Sequence, residues 1–248
     1  MQEQAATVRF ASLARLNIDD IGELRRMAGP IRECSAGSIL QTADDPVGDP
    51  VLLLDGWALS SLNVKAGGRQ IVKVHMPGDM LGLTSLAFTR AVDTVTALTT
   101  LKVCTVPQEA LGQMFESNAR LAALLFLISL EERVMLVDRL AMVGRAETSQ
   151  RIAALILQLR ERMMRSQPGT GLTFRFPLTQ LHIADMIGVT TVHVSRVIQE
   201  LGAAGLIKWE RGKVTILDLA ALQQWSGVPM RELAREPSWL PHAATRVA

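Results

Sequence analysis

Between Thr190 and Gln199 the chain reads TTVHVSRVIQ. At helical spacing Thr191, His193, Ser195, Arg196 and Gln199 fall on one side, and Val194, Val197, Ile198 and Leu201 on the other. Short hydroxyls, an imidazole and a guanidinium are groups that reach base edges and phosphate oxygens in a major groove about 12 Å wide. A helix face with no ligand more often carries Glu and Lys. Upstream, Thr179 is placed to cap a shorter helix, and Ala184 is small enough for close crossing. Gly188 suits a positive φ at that helix's end, Val189 plugs the turn, and Thr190 caps the second helix. The pattern is a helix-turn-helix, and the rival reading is a helical hairpin used for packing or protein contacts. After Gly205, LIKWERGKVTIL reads as two strands turning at Arg211 and Gly212, which would carry Lys208, Arg211 and Lys213 to the flanking backbone of a duplex. Its bland alternative is a soluble hairpin with no ligand.

No other cluster proposes chemistry. The sequence has no nucleophile beside a base, no Walker loop and no metal-ligand spacing among its four histidines, so an enzyme is not expected. Cys34 and Cys104 stand 70 positions apart without CxxC spacing and read as small buried hydrophobes. His75 and Cys104 read as structural residues rather than haem ligands. Neither a cofactor nor a metal is expected.

The elements that position the helix-turn-helix follow from period and composition. With 248 residues, 48% of them hydrophobic, two domains are expected. Net charge is +2, yet Arg145 to Lys213 holds ten Lys or Arg against five Asp or Glu, the bias expected of a half that meets phosphates. The longest apolar stretch, Leu121 to Leu130, falls short of the roughly 18 residues that span a bilayer. MQEQAATVRF lacks the parts of an export signal, so no membrane partner and a cytoplasmic location are expected. A short helix is predicted over Ile18 to Met27. From Ile31 to Val106 the runs SIL, VLLL, WALSSLNV, RQIVKVHM, VDTVTAL and LKVCTV read as strands, with DDPVGDP, AGGR and PGD as turns. Such strands each bury one face and need a second sheet, which makes a β-roll.

At Pro107 the period changes. Gln108 to Ser117 reads as a short helix, and Ala119 to Val143 as a long one, with Gly144 closing it. Its stripe of Leu121, Leu124, Leu125, Ile128, Val134, Val137 and Ala141 is broken at Glu131, Glu132 and Arg133. A second copy is the simplest cover for a helix apolar on more than one side, and the intramolecular core is the alternative. Thr148 to Arg165 is a further helix with Ile152, Leu155, Ile156 and Leu159 inward. The predicted fold is α+β: an N-terminal antiparallel, jelly-roll-like β-roll (1–117), a long dimerisation helix (118–144), a C-terminal winged helix-turn-helix (145–225) and a tail (226–248). The tail holds an amphipathic turn around Met230 to Arg235.

A roll, a long central helix and a winged helix-turn-helix in that order resemble the CRP/FNR family of bacterial transcription regulators. The resemblance is carried by LLLDGWALSSL, RQIVKVHMPGDMLGL, RAETSQRIAALILQL and LTQLHIADMIGVTTVHVSRVIQELGAAGLI. It implies that Thr179 and Gln180 contact DNA backbone, and that Thr191, Val192, His193, Ser195 and Arg196 lie on the recognition helix, the last two matching the family's SR pair. Val192 stands where the family often has a Glu that reads cytosine, so the TGTGA and TTGAT half-sites do not carry over, whereas an inverted repeat follows from dimer symmetry. The effector-pocket positions would be Gly78, Asp79, Gly82, Leu83, Thr84, Ser85 and Arg90. Leu83 replaces the ribose-binding Glu of cyclic-AMP-binding members, and Arg90 sits about one residue from the expected arginine, so cyclic AMP in the usual mode is not expected. Two cysteines cannot supply the four thiolates of an iron-sulfur sensor. The implied partners are double-stranded DNA, a second copy, RNA polymerase and an unidentified small-molecule effector, if any. The rival is a cyclic-nucleotide-binding-like regulatory module acting through protein contacts, its helix-turn-helix vestigial.

Overall fold

The structure, a computed structural model, describes residues 2–64, 68–167, 169–229 and 231–242. It opens with α1 (Gln2–Ala11) and α2 (Ile18–Met27). Asn17 Oδ1 accepts from the Asp20 N–H at 2.6 Å and Asp20 Oδ2 accepts from the Asn17 N–H at 3.1 Å, the reciprocal cap that starts α2. The strands β1 (Ile31–Cys34), β2 (Ile39–Gln41), β3 (Val51–Asp55), β4 (Ala58–Val64), β5 (Gly68–His75), β6 (Met80–Leu81), β7 (Thr94–Ala97) and β8 (Leu101–Thr105) follow, with a 3-10 turn over Leu83–Ala87. Of the expected AGGR turn, Ala66 and Gly67 lie outside the described residues.

Two antiparallel four-stranded sheets result, in the orders β1-β8-β3-β6 and β2-β7-β4-β5. β3 shows why they layer. Its alternate residues Val51 and Leu53 pack with Ala58, Val95, Ala97, Leu101 and Val103 between the sheets. Leu52 and Leu54 point the other way, into a core with Phe10, Leu13, Leu24, Cys104, Val106, Leu111 and Met114. A strand buried on both faces reads as a continuous apolar run, which is what VLLL is. The outer core is closed by α1, α2, α3 (Gln108–Ser117) and the first turns of α4 (Ala119–Arg145).

That last contribution corrects the expectation for the long helix. Leu121, Leu124, Leu125 and Ile128, expected on a dimer face, are interior residues of this protomer, Leu121 and Leu124 being fully buried. The apolar stripe has a single period but two destinations, because helical spacing records burial and not what does the burying. Val134, Val137 and Ala141 are exposed, as are Leu136, Leu140 and Val143. Gly144 does not end the helix, which continues to Arg145.

The remaining elements are α5 (Thr148–Ser166), β9 (Thr173–Arg175), α6 (Gln180–Ile187), α7 (Thr191–Ala203), β10 (Ile207–Glu210), β11 (Lys213–Ile216) and α8 (Leu219–Ser226). α5 turns Ile152, Leu155, Ile156 and Leu159 inward, each burial worth about 1.5–3 kcal/mol, and contacts α6, α7 and α8. β10, β11 and β9 form a three-stranded antiparallel sheet. By their contacts the described residues make two units: one of residues up to Leu62, Lys73–Glu132 and those from Glu232 on, the other of Asn63–Val72 and Arg133–Arg231.

The tail is no free end. Leu240 is buried in the core of the first unit, the Glu236 N–H donates to the Leu13 carbonyl at 3.0 Å, and Arg120 Nη1 donates to the Pro241 carbonyl at 2.8 Å. The amphipathic turn expected near Met230 to Arg235 is no helix over Arg231 to Arg235, and Met230 lies outside the described residues. Among the described residues no helix is long and apolar enough to cross a membrane.

Candidate nucleic-acid interface

Local capping chemistry builds the interface. Thr179, exposed, accepts at Oγ1 from the His182 N–H at 3.3 Å, while His182 Nδ1 accepts from the Thr179 N–H at 3.1 Å. Burial first, then the positive Arg69 guanidinium, holds the His182 pKa below its ordinary value, with Asp185 pulling the other way. A neutral ring is what an accepting Nδ1 requires. Gln180, half-buried, begins α6. Gly188 ends it at φ 72°, ψ 43°, a left-handed geometry that glycine adopts without a Cβ penalty. Thr190, exposed, caps α7 through Oγ1, which accepts from the His193 N–H at 3.3 Å.

α7 buries Val194, Val197 and Leu201 and leaves Thr191, Val192, Arg196 and Gln199 exposed, with His193 and Ser195 half-exposed. Val192 is 79% exposed, an apolar knob among polar neighbours. It cannot accept a hydrogen bond, but it can touch a thymine methyl. Arg196 Nη2 donates to His193 Nδ1 at 2.6 Å, so two of the expected reading residues are joined.

The hairpin turns at Arg211 (φ 49°) and Gly212 (φ 73°), both left-handed as a two-residue turn requires. Lys208, Arg211 and Lys213 are all exposed. Lys208 is tied to Glu210 at 3.1 Å, which offsets part of its charge. Arg175 was not anticipated. It is exposed on β9 directly across from Lys213, extending the basic edge. The alternation in TFRF was the available signal, masked by its three-residue length. Phe176 holds this sheet from beneath, its ring 4.9 Å from that of Trp209.

A second cluster in this unit involves the β4–β5 tip. Arg69 Nε and Nη2 donate to Asp185 Oδ2 at 2.9 and 2.6 Å, and Gln70 Nε2 donates to the Met186 carbonyl at 3.0 Å. Both acceptors belong to α6.

The expected effector positions are held largely by local turns and bonds. Gly78 (φ 94°) and Gly82 (φ 78°) shape turns. Asp79 is buried; its Oδ2 accepts from the Met76 N–H at 3.0 Å and its Oδ1 lies 3.8 Å from Arg9 Nε. Ser85 is fully buried and accepts at Oγ from Gln41 Nε2 at 3.1 Å and from the Val92 N–H at 3.2 Å. Leu83 packs on the outer core, Thr84 is exposed, and Arg90 Nη1 donates to the Asp44 carbonyl at 2.6 Å. Gln41 is the residue that sequence reading missed. Its Nε2 also donates to Asp93 Oδ1 at 2.7 Å, and its Oε1 lies 2.9 Å from where a Gly82 Cβ would stand. Cys34 and Cys104 are buried, and burial raises the Cys104 pKa. Among the described residues no group of three His, Cys, Asp or Glu could hold a metal.

Roll and capped helix pair together define a class of protein, a β-roll joined to a winged helix-turn-helix. Residues 31–118 match the cyclic nucleotide-binding domain, and residues 150–225 the Crp-like helix-turn-helix domain. Nitrogen fixation regulation protein FixK of Bradyrhizobium diazoefficiens is 30% identical over 158 residues, which are 63% of this chain and 65% of FixK. Transcriptional activator protein anr of Pseudomonas aeruginosa is 26% identical over 217 residues, 87% of each chain. The solved structure of FixK2 from Bradyrhizobium japonicum superposes with a TM-score of 0.72 at 20% identity, covering 82% of this chain and 99% of that one. The chain belongs to the CRP/FNR family of transcription regulators. Its domains are those of such regulators, not of enzymes.

Proposed function

We propose that this protein binds an inverted-repeat DNA site as a homodimer, with α7 in the major groove and β9, β10 and β11 against the flanking backbone. The observation that carries the reading is the exposed N-terminal face of α7, where Thr191, Val192, His193 and Arg196 converge above a fully apolar underside. The dimer is supported by the unpaired stripe Leu130, Val134, Val137, Leu140 and Val143, whose exposure on one protomer leaves apolar area that a second copy would cover. Binding is read as independent of cyclic AMP and of an iron-sulfur cluster. Gln41, Ser85 and Asp93 satisfy one another in the cassette, and the two cysteines are buried and too few. DNA as the partner puts its work in the cytoplasm.

A mobility-shift titration with no ligand added, at about 50 and 200 mM salt, tests this reading. A sequence-selective complex that weakens steeply with salt is expected. Absence of such a complex would favour a roll acting through protein contacts.

A further inference from the structure

A cavity of about 30 Å³ lies where α4, α5 and the end of α6 meet, within the second unit. Arg139, Arg151 and Gln158 are its polar lining, and Met142, Leu155 and Met186 supply apolar walls. The space holds two or three water-sized groups, since one needs about 10–15 Å³, and a carboxylate group has three heavy atoms.

The two arginines are the unusual feature. Arg151 Nη1 donates to the Ile187 carbonyl at 3.1 Å and Nη2 to Thr148 Oγ1 at 3.3 Å, but its buried Nε has no hydrogen-bond partner. Arg139 Nη1 donates to the Val72 carbonyl at 2.7 Å. Among the described residues neither guanidinium has a carboxylate within 4.0 Å, in contrast to Arg69, Arg165 and Arg231 of the same unit. Carbonyl and hydroxyl oxygens supply dipoles, not the opposite charge that offsets a partly buried cation. A lysine so placed could shed its proton, but an arginine cannot. Burial first, and then the charge of Arg162, both disfavour the charged form of Arg139. A bound anion would supply that opposite charge to two half-buried cations, and a planar guanidinium fork suits a planar oxyanion.

We propose that this cavity is an anion site in which Arg139 and Arg151 hold one planar, singly charged oxyanion the size of a carboxylate group. Its walls come from α4, α5 and α6, so an occupant cements the first helix of the helix-turn-helix to its support. The site needs no DNA, and its test is independent of the DNA-binding reading.

The test is thermal unfolding of the full-length protein during titration with sodium formate or sodium nitrate, with sodium fluoride holding the ionic strength. Arg139→Gln, Arg151→Gln, Arg151→Lys and Arg196→Ala are compared with wild type. A saturable rise in Tm with either anion is expected for wild type and Arg196→Ala. The apparent affinity should fall at least tenfold in the Arg139 and Arg151 variants, including Arg151→Lys, which keeps the charge, should a glutamine variant not fold. Saturation by formate alone assigns a carboxylate ligand, and by nitrate alone an inorganic one. No saturable rise in wild type, an equal rise in all variants, or loss of the rise in Arg196→Ala would overturn the site, the last by locating the anion on the DNA-facing helix.

Discussion

Arg196 donates from Nη2 to His193 Nδ1 at 2.6 Å, one turn apart on α7. The bond spends one imidazole nitrogen and fixes the direction of the guanidinium, so the two residues meet DNA as a unit. Arg196→Ala is expected to cost about 1–3 kcal/mol of selective binding, roughly five- to 150-fold in Kd. His193→Ala should cost less, and the double variant should resemble Arg196→Ala alone, because part of the His193 effect runs through Arg196. Fluorescence anisotropy on one duplex, run as a double-mutant cycle, measures the coupling; additive losses would show the two side chains acting separately.

The wing predicts a graded salt response. Arg175 and Lys213 face each other across β9 and β11, whereas Lys208 is paired with Glu210. Arg175→Ala or Lys213→Ala should each lower the slope of log K against log salt by about one, uniformly across sequences. Lys208→Ala should lower it less, and Glu210→Gln should tighten non-specific binding by freeing the Lys208 charge.

The two halves of α4 should separate stability from association. Leu124 is fully buried in its own protomer, and Leu140 is 73% exposed. Leu124→Ala is expected to destabilise the fold by about 2–5 kcal/mol with the dimer intact. Leu140→Asp should leave monomer stability nearly unchanged and shift sedimentation toward the monomer. The opposite pairing of effects would assign the stripe the other way.

His182 sets a pH dependence with a definite sign. Its folded pKa lies below the unfolded 6.5, so the unfolded chain binds the extra proton first. The stabilisation is complete above pH 6.5 and is lost as pH falls from there through the folded pKa. Wild type should lose stability across that acidic window more steeply than His182→Gln in chemical denaturation.

What could be read from the sequence was what short-range chemistry determines. Thr179, Gly188 and Thr190 act on backbone within four residues, so the helix-turn-helix and its capping are visible in the chain itself. The apolar run of β3 likewise announced a strand, though not that its alternate residues serve two cores. α1, β9 and α8 were missed because they are short and owe their form to tertiary packing. Gln41 illustrates the other limit. Its partners Ser85 and Asp93 lie 44 and 52 positions away, a juxtaposition that no local pattern encodes. The dimer stripe failed at Leu121 and Leu124 for a third reason: period reports that a face is covered, not by what.

Selection of bound duplexes from a random DNA pool by the purified protein, with no ligand added and with Arg196→Ala in parallel, tests the central claim most directly. Enrichment of an inverted repeat by wild type, its half-sites about one helical turn apart, and its loss in the variant is the predicted result. No enrichment by wild type, or the same enrichment by both proteins, would contradict a ligand-independent dimer that reads DNA through α7.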